Sequence, residues 1–401
     1  MRTIASCSTA IVLLASASGA SVSQVTPTVT PPVAPPPSAQ FVLTPDMTSR
    51  FAQVAPRLVR SAALGPGKTA VINGGAFLMP FMQQLALEVE RAGATAIVLT
   101  TSDSLERFRD ANLASRASAP INPVLATLNT GTDVWFQFAG VEDNSFYTAR
   151  TPAQLAAANT IDSIWRPLYS RHREVFVIIP LPRDAAMNGY SPSEYSRITW
   201  EAMNADYEQI AATGRAIRHR LTAAHTVRVT SPEGTDITFS IVPNEAFVSA
   251  GAVNTAEPAE RFQRVAFPGG ILNADVNETS ASGRIRAPYD FCNTPVKDEA
   301  IDVDRGRITA IHTKTEEECV RKALSNLHFS FLSIGLNPTH PNDPSAPRMA
   351  TDFNSTGVVL VGFGANGGSN HEPTNWVVPL PRATVLADGV AVVRDGKLVT
   401  N

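Results

Sequence analysis

Leu336-Asn337-Pro338 opens a stretch that resumes at Gly357-Val358-Val359-Leu360-Val361-Gly362-Phe363-Gly364 and runs on to Gly367-Gly368-Ser369-Asn370-His371-Glu372-Pro373-Thr374-Asn375-Trp376-Val377. The apolar run over 357–362 has the length and β-branched content of a strand. The glycine-rich turn after it carries His371 and Glu372. A histidine beside a carboxylate in such a turn reads either as an acid–base pair or as a solvated loop pair. Asn366 and Asn375 flank that turn, and their amides can hydrogen-bond a ligand's carboxylate or amide.

Around this stretch, from residue 226 onward, the sequence reads as β-rich. The segments 227–230 and 237–241 flank Ser231-Pro232-Glu233-Gly234-Thr235-Asp236, a turn signal that predicts a hairpin. Further strands are expected over 283–287, 307–312 and 391–394, with a helix over 316–324. Residues 41–225 instead alternate strand and helix. Strands are expected over 69–73, 94–101, 134–138 and 175–179, with helices over 80–92 and from Thr151, which precedes Pro152 as a cap. That alternation predicts a mostly parallel sheet with helices on its faces. One long helix is expected from Ser191, whose capping box is completed by Glu194, to about His225. Its apolar stripe is Trp200, Met203, Tyr207, Ile210, Gly214, Ile217 and Leu221. The expected fold class is α/β. An N-terminal α/β domain over 41–225 is followed by a β-rich α+β domain over 226–401, and the cleft between them is the default ligand site.

The chain has 401 residues, 44% of them hydrophobic, which is ample for such a core. Its 33 basic and 36 acidic residues give a net charge of -3, so nothing in the balance calls for nucleic acid. Met1-Arg2, the apolar centre over 11–15 and the small residues Ser18-Gly19-Ala20 read as a secretory signal over 1–20. The apolar run is too short to span a bilayer, so no transmembrane segment is expected after cleavage. The tract over 21–40, with Pro31, Pro32, Pro35, Pro36 and Pro37, reads as an extended linker. Export makes the protein secreted or periplasmic and leaves Cys292 and Cys319. In an oxidising compartment these are either one disulfide or two buried thiols.

Several familiar sites are absent. Gly65-Pro66-Gly67-Lys68-Thr69 precedes a strand rather than following one, so it reads as a turn and not a phosphate loop. No Gly-x-Ser-x-Gly elbow and no His-Glu-x-x-His pair occur. Asn277-Glu278-Thr279 and Asn354-Ser355-Thr356 match glycosylation acceptors, a pattern common by chance.

Four blocks carry a family resemblance. They are Gly65-Pro66-Gly67 through Ala70-Val71-Ile72-Asn73 to Glu90-Arg91-Ala92-Gly93-Ala94; Val227-Arg228-Val229 with Gly234-Thr235-Asp236-Ile237; Phe267-Pro268-Gly269-Gly270 with Gly283-Arg284-Ile285; and Ile334-Gly335-Leu336-Asn337-Pro338 onward to Asp388-Gly389 and Asp395-Gly396. In this order and spacing, over roughly 45–398, the chain resembles the thermophilic aminopeptidase T and aminopeptidase S family. The resemblance implies a two-domain dinuclear zinc or cobalt exopeptidase and a homodimer. A ring-cleaving pyridine dioxygenase branch resembles that family in fold and uses one iron in much the same place.

Carried over position by position, the family's ligands fall on Ile271, Phe331, Leu360, Gly367, Asn375 and Val377, none of which can replace a carboxylate, imidazole or phenol ligand. A divalent cation needs such donors within about 2.0–2.2 Å, and apolar surroundings make its desolvation costly. Metal and cofactor are therefore expected to be absent. Nearby donors for a rebuilt site are Asp275, Glu278, His340, Asp352, His371 and Glu372. The leading expectation is an exported, metal-free aminopeptidase-like protein that binds a peptide or small molecule in the interdomain cleft. A working aminopeptidase-like hydrolase with shifted metal donors, and a structural protein of the cell envelope, stay open as alternatives on the sequence alone.

Overall fold

Thr44 starts the first helix of the body. Its hydroxyl accepts the Met47 N–H at 3.3 Å, Pro45 sits in the first turn, and Pro45–Ser61 buries Phe51, Val54 and Leu58. The computed structural model describes residues 41–169, 173–187, 190–251, 264–287, 290–292, 295–339, 342, 354–366, 370, 372 and 374–399. The signal and linker expected over 1–40 lie outside them, as do His340, Asp352, Gly367 and His371.

The first sheet is parallel throughout, in the order Thr95–Thr101, Thr69–Gly75, Val134–Gln137, Arg173–Val177, Arg264–Phe267. Four of these strands are the predicted ones. The fifth comes from beyond residue 225, so the chain enters the second domain and then returns to the first sheet. Helices Pro45–Ser61 and Met79–Arg91 share a core with the sheet, where the Phe51 and Phe81 rings meet edge to face and Phe81 tilts against Trp200, at 5.2 and 6.4 Å between ring centroids.

The long helix expected from Ser191 is two helices, Pro192–Met203 and Tyr207–Ala223. Ser191 caps the first through Glu194 N–H, and Asp206 caps the second through Gln209 N–H. The apolar stripe runs through the break because both halves are buried, though in different places. Trp200 and Met203 enter the core of the first domain, Ile210, Ile217 and Leu221 enter that of the second, and Tyr207 touches both. A capping residue interrupts the helix where the burying partner changes.

The second domain is built on two large antiparallel sheets and a two-stranded one, Asp290–Phe291 with Pro295–Val296. The eight-stranded one runs Arg307–His312, Ala300–Asp304, Ser282–Arg286, Asp236–Phe239, Val227–Thr230, Thr384–Ala387, Val390–Arg394, Lys397–Leu398. The five-stranded one runs Asn375–Leu380, Val359–Gly364, Phe329–Gly335, Ile271–Val276, Ile241–Ser249. Their facing sides meet in one core, where Val229, Ile237 and Ile285 join Leu272, Leu332 and Val361. Helix Tyr207–Ala223 lies on the same side. At Gly214 a Cβ would come within 2.6 Å of Val248, so the helix settles against that strand only without a side chain there. Cys292 and Cys319 form a disulfide across a Cα–Cα distance of 6.2 Å, tying helix Glu317–Ala323 to the chain near Asp290.

Candidate functional site

The five-stranded sheet sends alternate side chains to opposite faces. Along Ile271–Val276, Leu272, Ala274 and Val276 go to the shared core, leaving Ile271, Asn273 and Asp275 on the other face. Register aligns the neighbouring strands with them. One cross-strand row reads Asp275, Phe331, Gly362, Val377, and the next reads Asn273, Ser333, Leu360, Pro379. Asn375 lies opposite Gly364, one step further along the same face.

Five of the six positions singled out in the sequence thus converge on one face of one sheet: Ile271, Phe331, Leu360, Asn375 and Val377. Gly367 lies outside the described residues. The turn at Pro268-Gly269-Gly270, reached through the cis Phe267–Pro268 peptide, is pinned beside them. Asn337 Nδ2 donates to the Gly269 carbonyl at 2.8 Å, and Leu336 N–H donates to that of Gly270 at 2.8 Å. Gly270 has φ +127°, and a Cβ there would press on Asn337.

Hydrocarbon fills much of this face. Ile271 and Leu360 pack with Phe247 and Val358 in a small separate cluster against which Val377 rests. The Phe331 ring covers Gly362. Leu360 is 1% and Phe331 6% exposed. The polar groups are few. Ser333 Oγ donates to Asn273 Oδ1 at 2.5 Å, while Asn273 Nδ2 and, on the adjoining strand, Ser249 Oγ are buried with no hydrogen-bond partner. Asp275 is the face's single carboxylate among the residues aligned above and is buried. The side chains described here do not fit a divalent cation. Among the described residues, no three His, Cys, Asp or Glu side chains come together in a group able to hold one.

The turn residues form a network at one end of the sheet. Glu372 accepts from the His328 backbone N–H at 3.1 Å and lies 2.5 Å from His328 Nδ1. Asn370 links onward, donating from Nδ2 to Glu278 at 2.6 Å and accepting the Glu372 N–H at 2.8 Å. Asn366 donates to the Ser330 carbonyl at 3.2 Å and accepts the Asn370 N–H at 3.0 Å. Asn375 Nδ2 reaches the Ala365 carbonyl at 3.4 Å. The amides of Asn366 and Asn375, expected to meet a ligand, hold backbone groups of the turn and of strand Phe329–Gly335. Glu372 has His328 as its partner, and its expected neighbour His371 lies outside the described residues. His328, Asn273, Ser333 and Ser249 escaped the sequence reading. Two-residue alternation from Ile271 and Phe331 leads to Asn273 and Ser333 once those segments are known to be strands, whereas nothing local marks His328.

This architecture is a two-domain aminopeptidase-like fold. It is similar to wild-type AmpT from Thermus thermophilus, with a TM-score of 0.61 at 17% identity over 88% of this chain and 100% of that one. It is also similar to 2,5-dihydroxypyridine dioxygenase from Pseudomonas putida KT2440, with a TM-score of 0.56 at 14% identity over 88% of this chain and 98% of that one. The sequence profile of the NicX family, 2,5-dihydroxypyridine 5,6-dioxygenase, matches residues 201–400, the part that carries both large antiparallel sheets. No curated protein matches the chain.

Proposed function

We propose that this chain is an exported, metal-free binding protein on the aminopeptidase-like fold, taking a small molecule on the face of the five-stranded sheet. The observation that carries the reading is the convergence of Ile271, Phe331, Leu360, Asn375 and Val377 on that face, with apolar or neutral side chains at all five positions. Without anionic donors, a cation gains too little there to offset its desolvation. The unpartnered Asn273 Nδ2 and Ser249 Oγ support a ligand with acceptor atoms, since a buried polar atom left unpaired costs about 1–3 kcal/mol. The profile match over 201–400 favours a small planar ring over a peptide. The Cys292–Cys319 disulfide supports export to an oxidising compartment. Among the described residues no helix is long and apolar enough to cross a membrane.

Elemental analysis of the purified mature protein, paired with assays of aminoacyl chromogenic substrates and dihydroxypyridines with and without added zinc, cobalt or iron(II), tests this. Substoichiometric metal and no turnover are expected. About two bound zinc or cobalt ions per chain with chelator-sensitive release of amino acids would establish the hydrolase instead. One bound iron with ring cleavage would establish a dioxygenase.

A further inference from the structure

A cavity of about 870 Å³ lies on the opposite side of strand Ile241–Ser249 from the face just described. Val248 points into it, while its neighbours Phe247 and Ser249 point the other way. Helix Pro45–Ser61 of the first domain forms one wall and helix Tyr207–Ala223 of the second forms another, so the cavity sits where the two domains meet.

Arg57 and Arg60, one turn apart on the first helix, and Arg215 on the second all line it. Among the described residues none of the three has an ion pair or hydrogen-bond partner. Elsewhere Arg50, Arg197, Arg228 and Arg284 each hold a carboxylate. Two like charges one helical turn apart repel mildly, and a third facing them adds to that cost unless an anion is bound among them. Two acids share the lining, Asp206 and Glu208. Asp206 is committed to capping its helix at Gln209 N–H, and Glu208 is exposed. The floor is apolar: Val248, Ala250 and Phe267. Tyr207 is part of the wall and is spoken for, since its hydroxyl donates to the Ala202 carbonyl at 2.9 Å and accepts the Gly269 N–H at 3.2 Å.

We propose that this cavity binds an organic anion, with a carboxylate or phosphate head held by Arg57, Arg60 and Arg215 and an apolar body lying on Val248, Ala250 and Phe267. The guanidinium fork suits either head group, because both present two oxygens to paired N–H donors. The site owes nothing to the sheet face and stands whether or not that face binds a ligand or a metal.

Calorimetric titration of the mature protein with phenylphosphonate, benzoate and inorganic phosphate tests it, alongside Arg60→Gln, Arg215→Gln and the double variant. Saturable binding of phenylphosphonate or benzoate is expected, weakened about tenfold by each substitution and further by both, and falling as salt rises. The tighter of the two organic probes names the head group. Inorganic phosphate, lacking the apolar body, is expected to bind at least about tenfold more weakly. All three arginines are exposed and unpaired, so the variants should melt with the wild type. Absence of saturable binding by both organic probes at millimolar concentration overturns the proposal, as does binding that the double variant leaves unchanged.

Discussion

Phe331 lies over Gly362, the residue opposite it on the neighbouring strand, so closely that even a methyl group at 362 would overlap the ring. The pair explains how a large aromatic fits on this sheet face: the missing side chain is the space the ring occupies. Gly362→Ala should therefore cost about 1–3 kcal/mol by overpacking. Phe331→Ala should cost about 3–5 kcal/mol through the lost burial. The double variant should be more stable than the sum predicts, because removing the ring removes the clash. A double-mutant cycle by urea denaturation measures that coupling, and strict additivity would refute the contact.

Installing a carboxylate in place of that ring tests the character of the face. Phe331→Glu puts an acid among Leu360, Val377 and the already buried Asp275. Burial and the nearby acid both disfavour its ionised form, so its pKa in the folded chain should rise. A raised folded pKa means that the protonated acid is tolerated below the ordinary glutamate range and that stability is lost as pH climbs through and above it. The variant should be destabilised by at least about 3 kcal/mol at neutral pH and by less at about pH 4.5. Adding zinc should not restore it. Full recovery of the melting temperature with zinc would mean that the face still assembles a cation site.

Glu372 anchors the glycine-rich turn through His328, taking both its backbone N–H and its ring. Glu372→Gln keeps an oxygen for the backbone contact, whereas Glu372→Ala leaves both His328 groups without their partner. A loss of about 1–2 kcal/mol is expected for alanine and less for glutamine. Thermal denaturation of the two variants checks the order.

Much of the fold could be read from the chain because its signals are local. Glycine ends the helix before Ala94, Ser191 caps, and the turn at Ser231–Asp236 sets its hairpin. Some of the missed strands are hidden by their partners. Ile271–Val276 and Phe329–Gly335 are buried along their whole length, so their polar residues, Asn273, Asp275, Ser330 and Ser333, mark no solvent-facing side. Arg264–Phe267 owes its place to a sheet assembled about ninety residues earlier, a relationship no short window contains. The glycine and proline landmarks located the site face, but its polar partners, such as Asn273 with Ser333, emerged only from cross-strand register.

The disulfide closes a loop of 27 residues between Cys292 and Cys319. In the chain-entropy account such a loop stabilises the fold by roughly 3–4 kcal/mol. Cys292→Ser with Cys319→Ser should lower stability by that amount in urea denaturation. Treating the wild type with a reductant should reproduce the loss, while the double variant should be indifferent to it. A wild type insensitive to reductant would show that the two sulfurs are not joined in the purified protein.

Glu299 makes the sharpest case for a pH effect. It is 1% exposed, and neither carboxyl oxygen has a hydrogen-bond partner. Burial pushes its carboxyl above the ordinary range, outweighing the opposing influence of the neighbouring Asp290, which receives the Trp376 indole N–H at 3.0 Å. Because the folded pKa is raised, the stabilising proton is held in both states below the unfolded pKa of about 4.3 and is progressively forfeited as pH rises past it. Wild-type stability should therefore decline as pH rises above about 5, by a component that Glu299→Gln lacks. The variant, which cannot ionise, should gain on the wild type as pH increases. Parallel denaturation curves across that range read the difference directly, and a wild-type advantage that grows toward alkaline pH would show that Glu299 works as a paired carboxylate.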